Sequence, residues 1–314
     1  DRYAEAYTKG IHDQDAEKIL MALLNTHAAL HLARYHPRAR ACAAVYWHQF
    51  CAEDDRRLWT AKLESFAARN ALFPGDPAQQ DYIEALRVMI GEFVTESRLF
   101  PEEEVADAGE YLFFEITAGK DFAVSQEADK LLTEFERHLV KKGSEADFAK
   151  ARKPLKNNPL SHYQTVRDWI RGFLLTRNGE NKYMEEVAAL IFCGHHHKQA
   201  VVKASTEQVV EGLQGAHDAV EEGGKYPFDY LVFQEKLGRF SRESVPRFEQ
   251  YQELKQELID REKEELRLHE FEPKVLSSFV RNQLVDTVYL PIVGDNLAKQ
   301  IGAVGDAKRT DLMG

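Results

Sequence analysis

The sequence predicts an all-α fold, arranged as a multi-helix array in two subdomains. Apolar residues recur at helical spacing along most of the 314 residues, and short stretches rich in Gly, Pro, Asn or Asp separate these runs. The composition, 44% hydrophobic and 30% charged, is typical of a globular protein with a sizeable core. These observations predict helices that each bury one face.

The first 118 residues contain three predicted helical regions. Leu20, Leu23, Leu24 and Leu30 form one apolar stripe, and a second begins at Ala43. The run 111–116 is apolar enough for a strand, but it follows a proline and three glutamates, which are typical of a helix start. We therefore expect a helix there.

The segment 161–191 predicts a helical hairpin. Two apolar stripes flank the turn signal Asn178-Gly179, and the first stripe begins at Tyr163. The patterns Ser161-x-x-Gln164 and Ser205-x-x-Gln208 resemble capping boxes, so a helix is expected to begin at each.

The breaks along the chain predict its domain organisation. The main boundary is placed near residue 155, in a segment with two prolines and two asparagines. The predicted parts are a helical domain, a second helical subdomain, a charged connecting helix and a final approach segment, covering residues 1–155, 156–243, 244–271 and 272–314.

A charge-dense helix is expected from Ser244 to Glu270. Glu257 and Arg261 stand at i,i+4, a spacing that favours a helical ion pair. Its apolar stripe is thin, and Leu254 and Leu258 lie on the only face suited to packing.

The charge balance disfavours nucleic-acid binding through bulk electrostatics. The net charge is -11, with 41 basic and 52 acidic residues. One segment, residues 137–156, is locally basic. It can be interpreted as a solvated helix end or as a nucleic-acid-binding module. The candidate contacts are Lys141, Lys142, Lys150, Arg152, Lys153 and Lys156.

Three scattered cysteines are too few for a disulfide framework, which favours a reducing compartment such as the cytoplasm. No apolar run approaches the roughly 18 residues of a spanning helix, so no membrane partner is expected. The chain begins with Asp1 rather than Met, which suggests an excised fragment.

Metal binding is an alternative at Cys193, His195 and His197, because thiolate and imidazole are good zinc ligands. A structural zinc site needs four ligands, and no second Cys/His pair at a familiar spacing accompanies this cluster. A polar turn after a helix is the competing interpretation.

The sequence lacks a P-loop of the form G-x-x-x-x-G-K-[ST]. Gly119-Lys120 is followed by Asp121, and Gly224-Lys225 is followed by Tyr226. The chain alone is therefore expected to be non-catalytic and to hold no cofactor.

The last residues carry a family resemblance. The runs FVRNQLVDTVYLPI (279–292), DNLAKQIG (295–302) and KRTDLMG (308–314) resemble the approach to an AAA+ ATPase core. In that family a helix ends in a Leu-Pro step, and a short helix then leads towards the first core strand and the phosphate loop. More specifically, residues 247–314 resemble the large bacterial AAA+ proteins known as DNA repair ATPases.

The resemblance implies an N-terminal regulatory or adaptor region that positions a partner or substrate for a downstream AAA+ motor in the same polypeptide. It implies a protein partner and, for the motor, ATP and Mg²⁺. The family often has Gly-Gly where this chain reads PKVLS (273–277), so Val275 and Leu276 are the positions that an adenine contact would use. Both also fit the core of a helix.

Overall fold

A computed structural model describes residues 7–119, 122–177, 182–194, 199–267 and 283–302. It divides the chain into two compact units, residues 1–238 and 239–314. The all-α prediction is confirmed, since helices dominate both units.

The first unit contains ten described α-helices. Their bounds are His12–Leu30 (α1), Pro37–Val45 (α2), Glu53–Leu72 (α3), Ala78–Ser97 (α4), Val105–Ala118 (α5), Gln126–Lys142 (α6), Glu145–Arg152 (α7), Pro159–Leu175 (α8), Met184–Cys193 (α9) and Tyr230–Arg239 (α10), the last residue of which belongs to the second unit. Helix α5 confirms the helix expected at 111–116, and α8 with α9 confirms the two helices of the hairpin.

Local sequence signals set the ends of α6 and α8. The Ser125 hydroxyl caps α6 by accepting a hydrogen bond from the Ala128 amide, and Gly143 ends the helix with φ of 67°. Helix α8 starts at Pro159, and the Asn158 side chain accepts from the Ser161 amide. The cap at this start is therefore Asn158, three residues before the predicted Ser161.

One hydrophobic core joins α2 to α9. Its largest fully buried side chains include Tyr111, Phe113, Phe135, Tyr163 and Ile170. The boundary predicted near residue 155 lies inside the first unit, because helices from both sides of it share this core.

Four short strands accompany the helices in the described residues. They are Phe122–Ser125 (β1), Gln199–Val202 (β2), Glu207–Val210 (β3) and Tyr226–Asp229 (β4). Strands β1 and β2 pair in parallel, with Phe122 opposite Gln199, while β3 and β4 pair antiparallel, with Glu207 opposite Asp229. The prediction that a helix begins at Ser205 is wrong, because the strand β3 begins at Glu207 instead.

A second, smaller core lies between α1 and the β3–β4 hairpin. Leu23 and Leu30 of α1 pack with Val210 and Phe228 of the strands. The Gln208 side chain donates to Thr26 Oγ1 at 2.7 Å, so it joins the strand to α1 instead of completing a capping box.

The second unit contains the predicted charged helix, observed as Val245–Glu265 (α11) after a π-helical turn at Phe240–Ser244. The expected ion pair between Arg261 and Glu257 is present at 3.0 Å. Residues 268–270 of the predicted helix lie outside the described residues. A second π-helical turn, Val285–Tyr289, leads directly into Leu290–Gly302 (α12).

None of the helices in the described ranges is both long and apolar enough to cross a bilayer.

Candidate functional site

A groove lies between α6 and α8 in the first unit, and we call it the α6–α8 groove. It encloses about 440 Å³, within the range of ligand-binding clefts. It is lined by Phe135, His138, Leu139, Lys142, Ser144, Asp168, Trp169, Gly172, Phe173 and Thr176.

The helical period places these residues on facing surfaces. Along α6, His138 and Leu139 lie one turn after Phe135, and Lys142 lies one turn after them, so all four share a face. Asp168, Trp169, Gly172, Phe173 and Thr176 do the same along α8.

The floor of the groove is aromatic and rigidly packed. The rings of Phe135 and Phe173 lie 5.6 Å apart, and His138 packs 5.1 Å from Phe173. Phe148 of α7 contacts both Phe135, at 5.5 Å, and Trp169, at 5.1 Å. These ring contacts pack the side chains of the floor against one another.

Gly172 keeps the groove open. It is exposed on α8, and a Cβ at this position would meet no atom within 4 Å. Any larger side chain here would project into open space over the floor.

The rim is polar and mixed in charge. Lys142 and Asp168 are both exposed, one on each wall. Just after the end of α8, Arg177 forms an ion pair with Glu134 of α6 and lies 4.7 Å over the Phe173 ring. An apolar floor between opposite charges suits an apolar side chain carried on a polar segment.

The structure separates the six predicted cations into two groups. Lys141, Lys142, Lys150, Lys153 and Lys156 are exposed around the end of α6 and around α7. Among them, Lys142 lines the groove.

Arg152 faces inward and has a structural role. Its guanidinium donates to the Ile191 carbonyl at 3.1 Å and to His162 Nε2 at 3.1 Å. It also lies 5.0 Å over the Phe148 ring. Arg152 therefore joins α7 to α8 and α9, whereas its role as a nucleic-acid contact stays a prediction.

Cys193 is fully buried at the end of α9, with its thiol 3.7 Å from the Ala44 carbonyl. Burial raises the pKa of this thiol to about 12, which disfavours the thiolate that metals bind. His195 and His197 lie outside the described residues, as do Val275 and Leu276. No group of three or more His, Cys, Asp or Glu within the described ranges is arranged to hold a metal ion.

Sequence reasoning missed the groove because its residues look like ordinary core. Phe173 lies on the apolar stripe that begins at Tyr163, and nothing in that stripe shows that the space beside it is open. The available signal was Gly172, an isolated glycine inside a helical pattern next to Trp169.

Comparison of the chain with protein-family models, curated proteins and solved structures finds no match.

Proposed function

We propose that this chain is a partner-positioning adaptor region of an AAA+ ATPase, of the kind found in DNA repair ATPases, and that it is not itself catalytic. The α6–α8 groove is the observation that carries the binding role. The connection to a motor depends on the resemblance of residues 279–314.

One structural feature supports the connection and one departs from the family pattern. The Leu-Pro step falls at Leu290-Pro291, where the turn Val285–Tyr289 passes directly into α12, so no helix ends at this step as the resemblance expects. Helix α11, which precedes this region in sequence, buries none of its residues. A charged, exposed helix of this kind is typical of a connecting element between domains.

In the proposed role, the groove accepts an apolar side chain from a protein segment. The aromatic floor supplies the apolar contact, and the rim charges of Lys142 and Asp168 orient the polar backbone on either side. The partner is thus a peptide-like segment with one apolar anchor.

The binding role is tested with a displayed peptide library selected on the purified chain. Gly172→Leu fills the groove, whereas the matched Gly172→Ala adds one methyl group to open space. We expect selected peptides to bind the wild type and Gly172→Ala, and to lose at least about tenfold in affinity for Gly172→Leu. Equal binding to all three proteins would remove the groove from the proposal.

The motor connection is tested by the coding sequence that follows Gly314. The resemblance requires an apolar strand and a G-x-x-x-x-G-K-[ST] loop within about 15 residues. ATP turnover is then expected from the longer protein and not from this chain alone. An unrelated downstream sequence, or turnover by the purified chain, would contradict the assignment.

Nucleic-acid binding is the second candidate, favoured by the five lysines that remain exposed around α7. Its test is the salt dependence of oligonucleotide binding measured by fluorescence polarisation. If the lysines contact phosphates, the binding affinity should fall steeply as the salt concentration rises. The double variant Lys150→Gln, Lys153→Gln should then show a weaker dependence of affinity on salt. Absence of binding at low salt would exclude this candidate.

A further inference from the structure

The buried charges that hydrogen-bond to β1 do not balance one another. Among the residues that the structure describes, three charged side chains are both buried and bonded to this strand. They are Arg40 of α2, Glu115 of α5 and Glu186 of α9, which are 2%, 2% and 4% exposed. One guanidinium therefore faces two carboxyl groups. If both were ionised, one buried negative charge would lack a cation, which is strongly unfavourable away from water.

Glu186 has the donors that an ionised carboxylate requires. It binds both terminal nitrogens of the Arg40 guanidinium. It also accepts from the Ser125 amide at 2.9 Å and from the Ser125 hydroxyl at 2.7 Å. Charge-assisted hydrogen bonds of this kind favour the charged form of the carboxyl group, so Glu186 is the ionised member of the pair.

Glu115 has weaker support for a negative charge. It accepts from the Ala123 amide, with 2.7 Å between the nitrogen and Oε1. The Tyr111 hydroxyl and the Arg40 charge act on it as well, but Arg40 is already paired with Glu186. Burial raises the pKa of the Glu115 carboxyl, and these three groups oppose the rise only in part.

We infer that Glu115 is a proton-binding site that controls the attachment of β1 to α5. With the proton bound, one carboxyl oxygen accepts from Ala123 and the other carries the proton, so the buried network is neutral. When the proton leaves to water, the ionised carboxylate gains from solvation. Water reaches it from the side of β1, because Phe122 and Ala123 are half-buried whereas Tyr111 is fully buried. Deprotonation therefore favours a state in which β1 has moved away from α5.

The site should make the stability of the protein depend on pH. The folded protein binds the Glu115 proton more tightly than the unfolded chain, in which the pKa of a glutamate is about 4.3. The stabilisation is therefore fully present below about pH 4.3 and is lost as the pH rises through the raised pKa of the folded state. Glu115→Gln is the neutral isostere of the protonated side chain, so it should keep this stabilisation at every pH.

Urea denaturation between about pH 5 and about pH 8 tests the site. The urea midpoint of the wild type should fall relative to that of Glu115→Gln as the pH rises, and the variant should be the more stable protein at the upper end. Glu186→Gln is the matched control, since it removes a carboxylate from the same network but leaves Arg40 unpaired. Its midpoint should lie below that of the wild type throughout. Equal destabilisation by the two substitutions at every pH would overturn the inference.

NMR measures the proton and the strand separately. Titration of the side-chain carboxyl carbons in the wild type should place the pKa of Glu115 above the ordinary glutamate range, and an ordinary or lowered value would refute the proton site without any variant. The ratio of wild-type to Glu115→Gln amide exchange rates at Ala123 should rise at least about threefold between about pH 5 and about pH 8, because intrinsic exchange cancels in this ratio. A constant ratio would show that the proton does not control β1. None of these outcomes depends on the groove or on the motor.

Discussion

Arg40 of α2 and Glu186 of α9 form a buried ion pair across 146 residues of sequence. Arg40 Nη2 donates to Glu186 Oε2 at 2.8 Å, and both side chains are almost fully buried. Ser125 completes the network, since its amide donates to Glu186 Oε1 at 2.9 Å and its hydroxyl donates to Oε2 at 2.7 Å. The Ser125 hydroxyl also caps α6, so one carboxylate connects α2, β1, α6 and α9.

Glu186→Gln should therefore lower the free energy of unfolding by about 3–5 kcal/mol, because Arg40 would remain buried without its counter-charge. Urea denaturation measures the change. Glu53→Gln is the matched control, since its pair with Arg57 is 67% and 73% exposed and should contribute less than about 0.5 kcal/mol. Equal losses in the two variants would contradict a structural role for the buried pair.

Two helical glycines should respond to alanine with opposite signs. Gly172→Ala meets no atom within 4 Å, so better helix propensity should stabilise the protein by about 0.5–1 kcal/mol. At Gly109 the added Cβ would lie 2.5 Å from Arg87 Cγ and 3.1 Å from Arg87 Cα. Gly109→Ala should destabilise by about 1–3 kcal/mol, because α4 and α5 must separate. Thermal unfolding of both variants measures the two changes, and a Gly109→Ala protein as stable as the wild type would show that the close α4–α5 approach is not required.

Helical period was sufficient to predict helices such as α1, α5 and α8, because their apolar faces repeat every three or four residues. The helix Val105–Ala118 is an example, since the acids before it outweighed the strand-like composition of 111–116. The strands could not be predicted in the same way. Each is four residues long, and β3 starts beside a serine whose downstream glutamine mimics a capping box.

The roles of the individual basic residues depend on contacts between residues that are distant in sequence. Arg152 lies in a run of lysines and looks like one of them, yet its partner Ile191 is 39 residues away. The same limit applies to Arg40 and Glu186, whose separate positions carry no local signal of pairing. Composition therefore located the basic segment, and only tertiary contacts distinguished Arg152 from its neighbours.

The pKa of His162 should lie below its ordinary value, because burial and the nearby Arg152 and Lys156 charges lower it. The neutral ring accepts a hydrogen bond from Arg152 Nε at 3.1 Å, a contact that protonation of Nε2 would remove. The unfolded chain, with a histidine pKa of about 6.5, then binds the proton more readily than the folded protein.

The stability from His162 is therefore fully present above about pH 6.5 and declines as the pH falls from there towards the folded pKa. NMR titration of the imidazole gives that pKa directly. The free energy of unfolding, measured near neutral and mildly acidic pH, should fall less in His162→Gln than in the wild type. An ordinary or raised pKa for His162 would refute the proposed contact.

Arg152 and Lys153 are adjacent in sequence but should differ in what they contribute to the fold. The Arg152 guanidinium packs on the Phe148 ring and donates hydrogen bonds to α8 and α9, whereas Lys153 is exposed. Arg152→Met retains the apolar stem but leaves the Ile191 carbonyl and His162 without their donor, which should cost about 1–3 kcal/mol. Lys153→Met removes the same unit of charge and should change stability by less than about 0.5 kcal/mol. Urea denaturation measures the stability of the two variants. Oligonucleotide binding by the same two proteins, which have lost the same charge, shows whether an effect on binding comes from the charge or from the altered fold. Equal stability of the two variants would show that Arg152 belongs with the exposed lysines after all.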